Sequence, residues 1–159
     1  MKEKTCCFTG HREISTENII AIKPILQKTI IKLIKKGYIY FGVGGALGFD
    51  TLVEITILEL KLLYPHIKLI LVFPCEDQTK YWKKEDIEIY EKIKNKCDKY
   101  VYVSKNYTND CMLKRNRYLV DYSSCCVCYK TNNIGGTAYT VKYAEEKGID
   151  IINIAKEIM

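Results

Sequence analysis

Two hydrophobic periods alternate along the chain. Short runs of consecutive apolar residues, typical of strands buried on both faces, are separated by longer segments with an apolar residue at every third or fourth position, typical of amphipathic helices. The predicted strands are Thr5–Thr9, Tyr38–Val43, Lys68–Phe73, Lys99–Val103, Ser124–Tyr129 and Ile151–Ile154. The predicted helices cover residues 16–36, 47–63, 82–96, 109–121 and 136–147.

The first helical segment contains a proline that bears on where the helix begins. Its apolar residues follow the spacing of one helix face at Ile19, Ile22, Leu26, Ile30 and Leu33. Pro24 interrupts this pattern, and because proline is tolerated in the first turn of a helix, we expect the regular helix to begin near residue 24. Gly37 is expected to end it.

The alternation of strands and helices predicts the architecture. Strand–helix–strand units form right-handed crossovers, which make the strands parallel in one sheet. The chain is therefore predicted to be an α/β protein, a single Rossmann-like domain over residues 1–159, with a mainly parallel sheet of five to six strands flanked by helices. This length suffices for one core, and no linker-like tract divides it.

Composition and charge exclude few functions. The chain is 48% apolar and 28% charged, its net charge is +6, and much of the lysine lies on predicted helix surfaces. We interpret these lysines as solvated helix faces, and the alternative is a mild attraction to anionic ligands, nucleic acid included.

No apolar run is long enough to span a bilayer, and the first apolar run is too short for a signal peptide. We therefore expect a cytoplasmic protein without a membrane partner.

The eight cysteines are expected to be buried structural thiols. Five lie within predicted strands, where cysteine packs as a small hydrophobic residue: Cys6, Cys7, Cys125, Cys126 and Cys128. Cys125 and Cys128 have C-x-x-C spacing, but residues three apart on a strand face opposite sides of the sheet. Because no second Cys or His pair has the spacing of a zinc finger, we expect no metal site.

Three predicted strands end in unusual turns. Thr9-Gly10-His11-Arg12 follows the first, Gly42-Val43-Gly44-Gly45 begins the turn after the second, and Asn133-Ile134-Gly135-Gly136-Thr137 follows the fifth. The carboxyl ends of parallel strands lie at one edge of a sheet, where ligands of such folds bind. Glycine permits close backbone approach, and the N–H groups and dipole at a helix start favour an anion.

These turns predict a phosphate-type site. The predicted ligand-binding residues are Gly10, His11, Arg12, Gly44, Gly45, Asp50, Arg115, Gly135, Gly136 and Thr137. The second turn, G-x-G-x-x-x-G, is one residue longer than the dinucleotide fingerprint and lacks the Lys-Ser/Thr of a Walker A loop. Each turn alone is equally consistent with tight packing, whereas three turns at one edge favour a ligand.

The polar side chains of this set have structural alternatives. Asp50 starts the second helix, where it either stabilises the helix end or accepts a hydrogen bond from a ribose or base. His11 is interpreted as a hydrogen-bonding side chain in the wall of the site rather than as a general base. Arg115 and Arg117 lie on different faces of one helix, so we expect one to clamp a phosphate or carboxylate, the alternative being two solvated side chains.

Four segments in this order resemble the YpsA-like branch of the SLOG superfamily: C-C-F-T-G-H-R, G-G-A-L-G-F-D, R-N-R-Y-L-V-D-Y-S and G-G-T-A-Y-T-V-K-Y-A. That superfamily groups Smf/DprA-type proteins with the Lonely-guy (LOG) phosphoribohydrolases. The resemblance covers nearly the whole chain. It implies a Rossmann-like fold that binds nucleotides, nucleotide-derived ligands or nucleic acid.

The LOG motifs are matched where they bind phosphate and not where they act on the sugar. Met112–Asn116 resembles the LOG segment M-x-x-R-K, with Arg115 at the arginine, and Gly136–Thr140 resembles the segment G-T-x-x-E. Thr140 stands at the position of the catalytic glutamate, and threonine cannot act as a carboxylate acid or base. The acidic pair Glu76–Asp77 is the alternative source of a carboxylate.

DprA-like proteins resemble the chain at Ala46–Asp50, where their A-R-G-I-D motif has an arginine in place of Leu47. We therefore predict first a binder, and possible sensor, of a nucleotide or nucleotide-derived, phosphate-bearing ligand. A LOG-like nucleoside-monophosphate phosphoribohydrolase is the second hypothesis, and a single-stranded nucleic-acid binder the third. No cofactor is expected beyond the nucleotide-type ligand itself, and a homodimer is expected by analogy with LOG relatives.

Overall fold

The computed structural model describes residues 1–158. Within them the strands are β1 (Thr5–Gly10), β2 (Tyr40–Val43), β3 (Lys68–Cys75), β4 (Lys99–Ser104), β5 (Cys125–Tyr129) and β6 (Asp150–Asn153). The helices are α1 (Thr16–Lys35), α2 (Phe49–Lys61), α3 (Lys84–Lys96), α4 (Cys111–Asp121) and α5 (Gly136–Glu146). Short 3₁₀ helices cover Lys2–Lys4 and Ile154–Glu157.

All six described strands are parallel and form one sheet in the order β4-β3-β2-β1-β5-β6. The predicted α/β fold with a mainly parallel sheet is therefore confirmed. The chain runs outward from β1 to β4, and then returns to place β5 on the other side of β1. At such a reversal the connections from β1 and β5 diverge, which leaves a crevice at the carboxyl ends of these strands.

Two apolar layers cover the faces of the sheet. The first lies between the sheet and α1, α2 and α3, and the second lies between the sheet and α4 and α5. Cys125 packs in the first layer and Cys128 in the second, as the alternation of strand side chains predicts. Among the described helices, none combines the length and the apolar character needed to cross a membrane.

The expectation that the regular helix begins near Pro24 is wrong. Helix α1 begins after Ser15, whose hydroxyl accepts a hydrogen bond from the N–H of Asn18 at 3.2 Å. Pro24 lies inside the helix. Ile22 and Leu26 on either side of it are fully buried, and their burial outweighs the one backbone hydrogen bond that proline cannot make.

Candidate functional site

A cleft of about 230 Å³ opens at the carboxyl edge of the sheet, beside the junction of β1 and β5. The turn after β1, the start of α4 and the turn into α5 contribute most of its walls. Eight of the ten predicted site residues line it: Gly10, His11, Arg12, Asp50, Arg115, Gly135, Gly136 and Thr137. The structure thus brings together side chains from the first and the last third of the chain.

The turn into α5 presents an open helix N-terminus to this cleft. Gly135 has a φ of +97°, in the left-handed region that favours glycine, and Gly136 is the first residue of the helix. No side chain caps this end, and its first turn contains no acidic residue. A Cβ added at either glycine would meet no atom within 4 Å. Because the first N–H groups of a helix lack intrahelical acceptors, this open end suits an anion.

Arg115 is the buried cation of the cleft, with 5% of its surface exposed. Its Nε donates to Oδ1 of Asn116 at 2.8 Å, and its Nη1 donates to the carbonyl oxygen of Gly44. Its Nη2 has only the sulfur of Met112, at 3.9 Å. Within residues 1–158 no carboxylate lies within 4.0 Å of its guanidinium. Burial lowers the pKa of Arg115, and the charge of Asp50 partly offsets this.

Two carboxyl groups lie one turn apart on α2, close to this arginine. Asp50 lines the cleft, and its Oδ2 accepts a hydrogen bond from the N–H of Ala46 at 3.1 Å. Burial raises the pKa of Asp50, and the charge of Arg115 works in the opposite direction. Glu54 is 3% exposed, and its Oε2 has no hydrogen-bond partner among the described residues. Burial, and then the charge of Asp50, hold the pKa of Glu54 well above its usual range, which favours its protonated form.

His11 joins the turn after β1 to the turn after β5. Its Nε2 accepts a hydrogen bond from the N–H of Thr131 at 3.1 Å, and the Thr131 hydroxyl lies 2.9 Å from the same nitrogen. Its ring also packs edge-on against Tyr129. Burial lowers the pKa of His11, which favours the neutral imidazole that these contacts require. Arg12, the other side chain of this turn, is exposed at the mouth of the cleft.

The structure does not bring Gly44 and Gly45 to the cleft. A Cβ at Gly44 would lie 2.3 Å from Nη1 of Arg115, and a Cβ at Gly45 would lie 2.5 Å from the ring of Phe73. Side chains therefore already occupy the space that a ligand would need at this turn. Gly44 instead supports Arg115 from behind, and Ala46 is the residue of this turn that lines the cleft.

Of the two arginines on α4, Arg115 is the one that points into the cleft. Arg117 instead donates from Nη1 to the hydroxyl of Tyr139 at 3.3 Å, in the contact between α4 and α5. Thr140, at the position of the LOG glutamate, is 1% exposed, and its hydroxyl donates to the carbonyl of Gly136 at 2.8 Å. It does not line the cleft.

Sequence reasoning missed two polar residues near Arg115. Asn116 is buried and lines the cleft, where its side chain anchors the arginine. No signal beyond its adjacency to Arg115 marks it in the sequence. Glu54 had a usable signal, because it is the acidic residue in the apolar stretch from Leu52 to Ile57, four residues after Asp50.

Comparisons with known proteins identify the family of the chain. A family model described as the YspA SLOG family matches residues 6–155. The uncharacterized SPbeta prophage-derived protein YoqJ of Bacillus subtilis (strain 168) is 29% identical over 141 residues, which cover 80% of this chain and 82% of YoqJ. The family match includes residues of all six strands and every residue that lines the cleft, and it confirms the resemblance that the four sequence segments indicated.

Two solved structures share the fold. DNA processing protein A (DprA) from Streptococcus pneumoniae superposes with a TM-score of 0.67 at 17% identity, over 94% of this chain and 50% of that protein. DprA from Helicobacter pylori gives a TM-score of 0.66 at 18% identity, over 94% of this chain and 64% of that protein. This chain thus spans half the length of the pneumococcal protein, and at such identities the likeness concerns the fold alone.

Proposed function

The chain belongs to the YspA SLOG family, and we propose that it binds a nucleotide or nucleotide-derived, phosphate-bearing ligand in the carboxyl-edge cleft, as a ligand sensor. The observation that carries this proposal is Arg115. A guanidinium that is buried, anchored on two sides and without a carboxylate within 4.0 Å in the described chain is stabilised when an anion enters beside it.

The walls of the cleft suggest how such a ligand lies. The phosphate contacts the N–H groups at Gly136 and Thr137, where the helix dipole and the open space in front of the glycines favour negative charge. Arg115 reaches the same anion from α4. Asp50, a hydrogen-bond acceptor in the same cleft, suits a donor such as a ribose hydroxyl. His11 then closes the cleft on the β1 side.

Binding is favoured over LOG-like hydrolysis because of the environment of Thr140. Its hydroxyl is turned into its own helix, and the acidic pair Glu76–Asp77 is exposed and does not line the cleft. Asp50 is the carboxylate that does. If purified protein releases free base from a nucleoside monophosphate, and Asp50→Asn abolishes that release, then the chain is a hydrolase and the binding-only proposal fails.

A single-stranded nucleic-acid binder is the second candidate. The solved DprA from Helicobacter pylori is described by its single-stranded DNA binding mode. In this chain two exposed tyrosines, Tyr81 (89% exposed) and Tyr107 (60%), follow β3 and β4 at the carboxyl edge, next to Lys80 and Lys105. Aromatic rings interleaved with cations stack on bases. Oligonucleotide binding that weakens steeply with salt, and that is lost in Tyr107→Ala, would favour this candidate.

A thermal-shift screen with nucleotides, ADP-ribose, NAD and cyclic dinucleotides tests the primary proposal. A ligand at about 100 times its Kd stabilises the fold by about 2.7 kcal/mol. Gly136→Asp places a carboxylate where the phosphate would lie, so we expect it to abolish the shift. The helix start itself tolerates an acidic residue. Asn95→Asp, which adds the same charge on the exposed surface of α3, is the matched control and should respond like wild type. A full response of Gly136→Asp would contradict the proposed phosphate position.

A further inference from the structure

A second cleft of about 230 Å³ lies at the amino edge of the sheet, at the opposite end of α4 from the phosphate site. The first residues of β1 to β4 form its floor, and the last turn of α4 forms one wall. We call it the amino-edge groove. The residues that determine its character are Lys2, Tyr40, Ile70, Lys99, Tyr118 and Tyr122.

The groove exists because α4 and α5 leave part of the second sheet face uncovered. Ile70 and Val101 of β3 and β4 point to this face and are only half-buried. Gly42 of β2 lies on the same floor, where the absence of a side chain lets Leu119 approach to 3.1 Å from the position of a Cβ. Parallel sheets are normally covered on both faces, so this apolar surface lacks a partner in the described chain.

The charged side chains that line the groove are both basic. Lys2 and Lys99 line it, and no acidic residue does. Neither lysine has a carboxylate within 4.0 Å in the part of the chain that the structure describes. The hydroxyl of Ser123 already donates to the carbonyl of Leu119 at 2.7 Å. The groove therefore combines an aliphatic floor and tyrosine walls with two cations that lack an anionic partner.

We propose that the amino-edge groove binds a small amphipathic carboxylic acid. Its carbon chain lies on Ile70 and between the tyrosines, and its carboxylate pairs with Lys99 and Lys2. Charge complementarity favours this occupant over a second copy of the chain. An isologous contact would bring Lys2 and Lys99 of both copies into an apolar interface, with no carboxylate in the groove to pair with them. The inference concerns a site distinct from the carboxyl-edge cleft and does not depend on its ligand.

Displacement of a fluorescent amphipathic anion, anilinonaphthalene sulfonate, tests this inference on the full chain. Decanoate should displace the probe at least about tenfold better than decanol, because a charge-assisted pair contributes to binding only the acid. Each methylene added from hexanoate to decanoate should tighten binding by about fourfold. Near-UV circular dichroism, recorded at each endpoint, confirms that the probe and the acids report on the folded protein.

Matched variants locate the site. Lys99→Glu should weaken decanoate by at least about tenfold, while Lys96→Glu, the same change on the exposed surface of α3, should leave it within about twofold. Ile70→Gln should weaken the binding of decanoate and decanol alike, with Leu62→Gln, at an exposed position directly after α2, as its control. Equal displacement by decanol and decanoate, or equal effects of the two lysine variants, would overturn the proposal. A dimer in sedimentation that Ile70→Gln dissociates would show a second copy of the chain as the occupant.

Discussion

Two glycine-rich turns lie at the same edge of the sheet and look alike in the sequence, yet their surroundings differ. Gly135 and Gly136 face open space, with no atom within 4 Å of the position that a Cβ would take. Gly44 and Gly45 face atoms that are already in place, the guanidinium of Arg115 and the ring of Phe73. The space in front of the first pair is open, whereas the space in front of the second pair is filled by packed side chains.

This difference separates the turn that is proposed to bind the ligand from the turn that supports Arg115. The open turn starts α5 and exposes unpaired N–H groups to the cleft. The filled turn supplies, from Gly44, the carbonyl that holds Arg115 in position, and its Ala46 N–H donates to Asp50. A glycine-rich turn is therefore evidence of a ligand only where the space in front of it is empty.

The largest expected effect is on folding stability, in Gly45→Ala. Gly45 has a φ of +73°, and a Cβ there would lie 2.5 Å from the Phe73 ring. Left-handed backbone strain and overpacking together should lower the free energy of unfolding by about 2–4 kcal/mol. Gly135→Ala, with a φ of +97° but no contact, should lose only the backbone part, about 1–2 kcal/mol. Urea denaturation measures both, and equal losses would remove the distinction between the turns.

Next in size is the effect of Arg115→Met on ligand binding. The variant removes the buried cation of the cleft, so we expect a ligand identified in the thermal-shift screen to bind more weakly by about 1.5–3 kcal/mol, roughly ten- to a hundredfold. Arg117→Met removes an arginine from the same helix that contacts Tyr139 and should bind normally. Calorimetric titration of both variants measures the difference. Normal binding by Arg115→Met would mean that its guanidinium serves packing alone.

A smaller effect, of opposite sign, is expected for Gly136→Ala. Gly136 lies in the helix, its φ is not positive, and no atom lies near its Cβ position. Replacing glycine by alanine there should raise the free energy of unfolding by about 0.4–1 kcal/mol, because the unfolded chain loses more freedom. The same substitution at Gly44, against the guanidinium of Arg115, should destabilise the protein. Urea denaturation measures both variants. A change in the free energy of unfolding with the same sign at Gly136 and Gly44 would contradict the comparison.

The smallest expected effect is a pH dependence of folding stability, which arises from His11 where it joins the turn after β1 to the turn after β5. Burial lowers the pKa of His11 below its ordinary value of 6.5. As the pH falls, the unfolded chain therefore takes up the proton first. The stabilising contribution of His11 is complete above pH 6.5 and is lost as the pH falls through 6.5 toward the lower pKa of the folded state. Melting temperatures should thus decline less steeply in His11→Gln than in wild type over this range, and identical profiles would exclude this contribution.

Much of the fold could be predicted because its signals are local. The apolar runs and the three-and-four spacings predicted the observed strands and helices, with α1 as an instructive exception. A proline removes a backbone hydrogen bond only beyond the first turn of a helix, so local pattern favours a helix that begins at Pro24. Only the full burial of Ile22 and Leu26 explains why α1 continues through it.

The candidate site, like the fold, could be predicted from the sequence only in part. The sequence by itself determined that three glycine turns share one edge and that α4 directs one arginine differently from the other. The alternation of strands and helices implies a parallel sheet, and helix geometry fixes the angle between the two arginines. Only the tertiary structure decided that Arg115 is that residue, that it rests on Gly44, 71 residues away, and that Glu54 is buried near it. Such contacts depend on how distant segments pack, and packing decides whether the space in front of a glycine is open or filled.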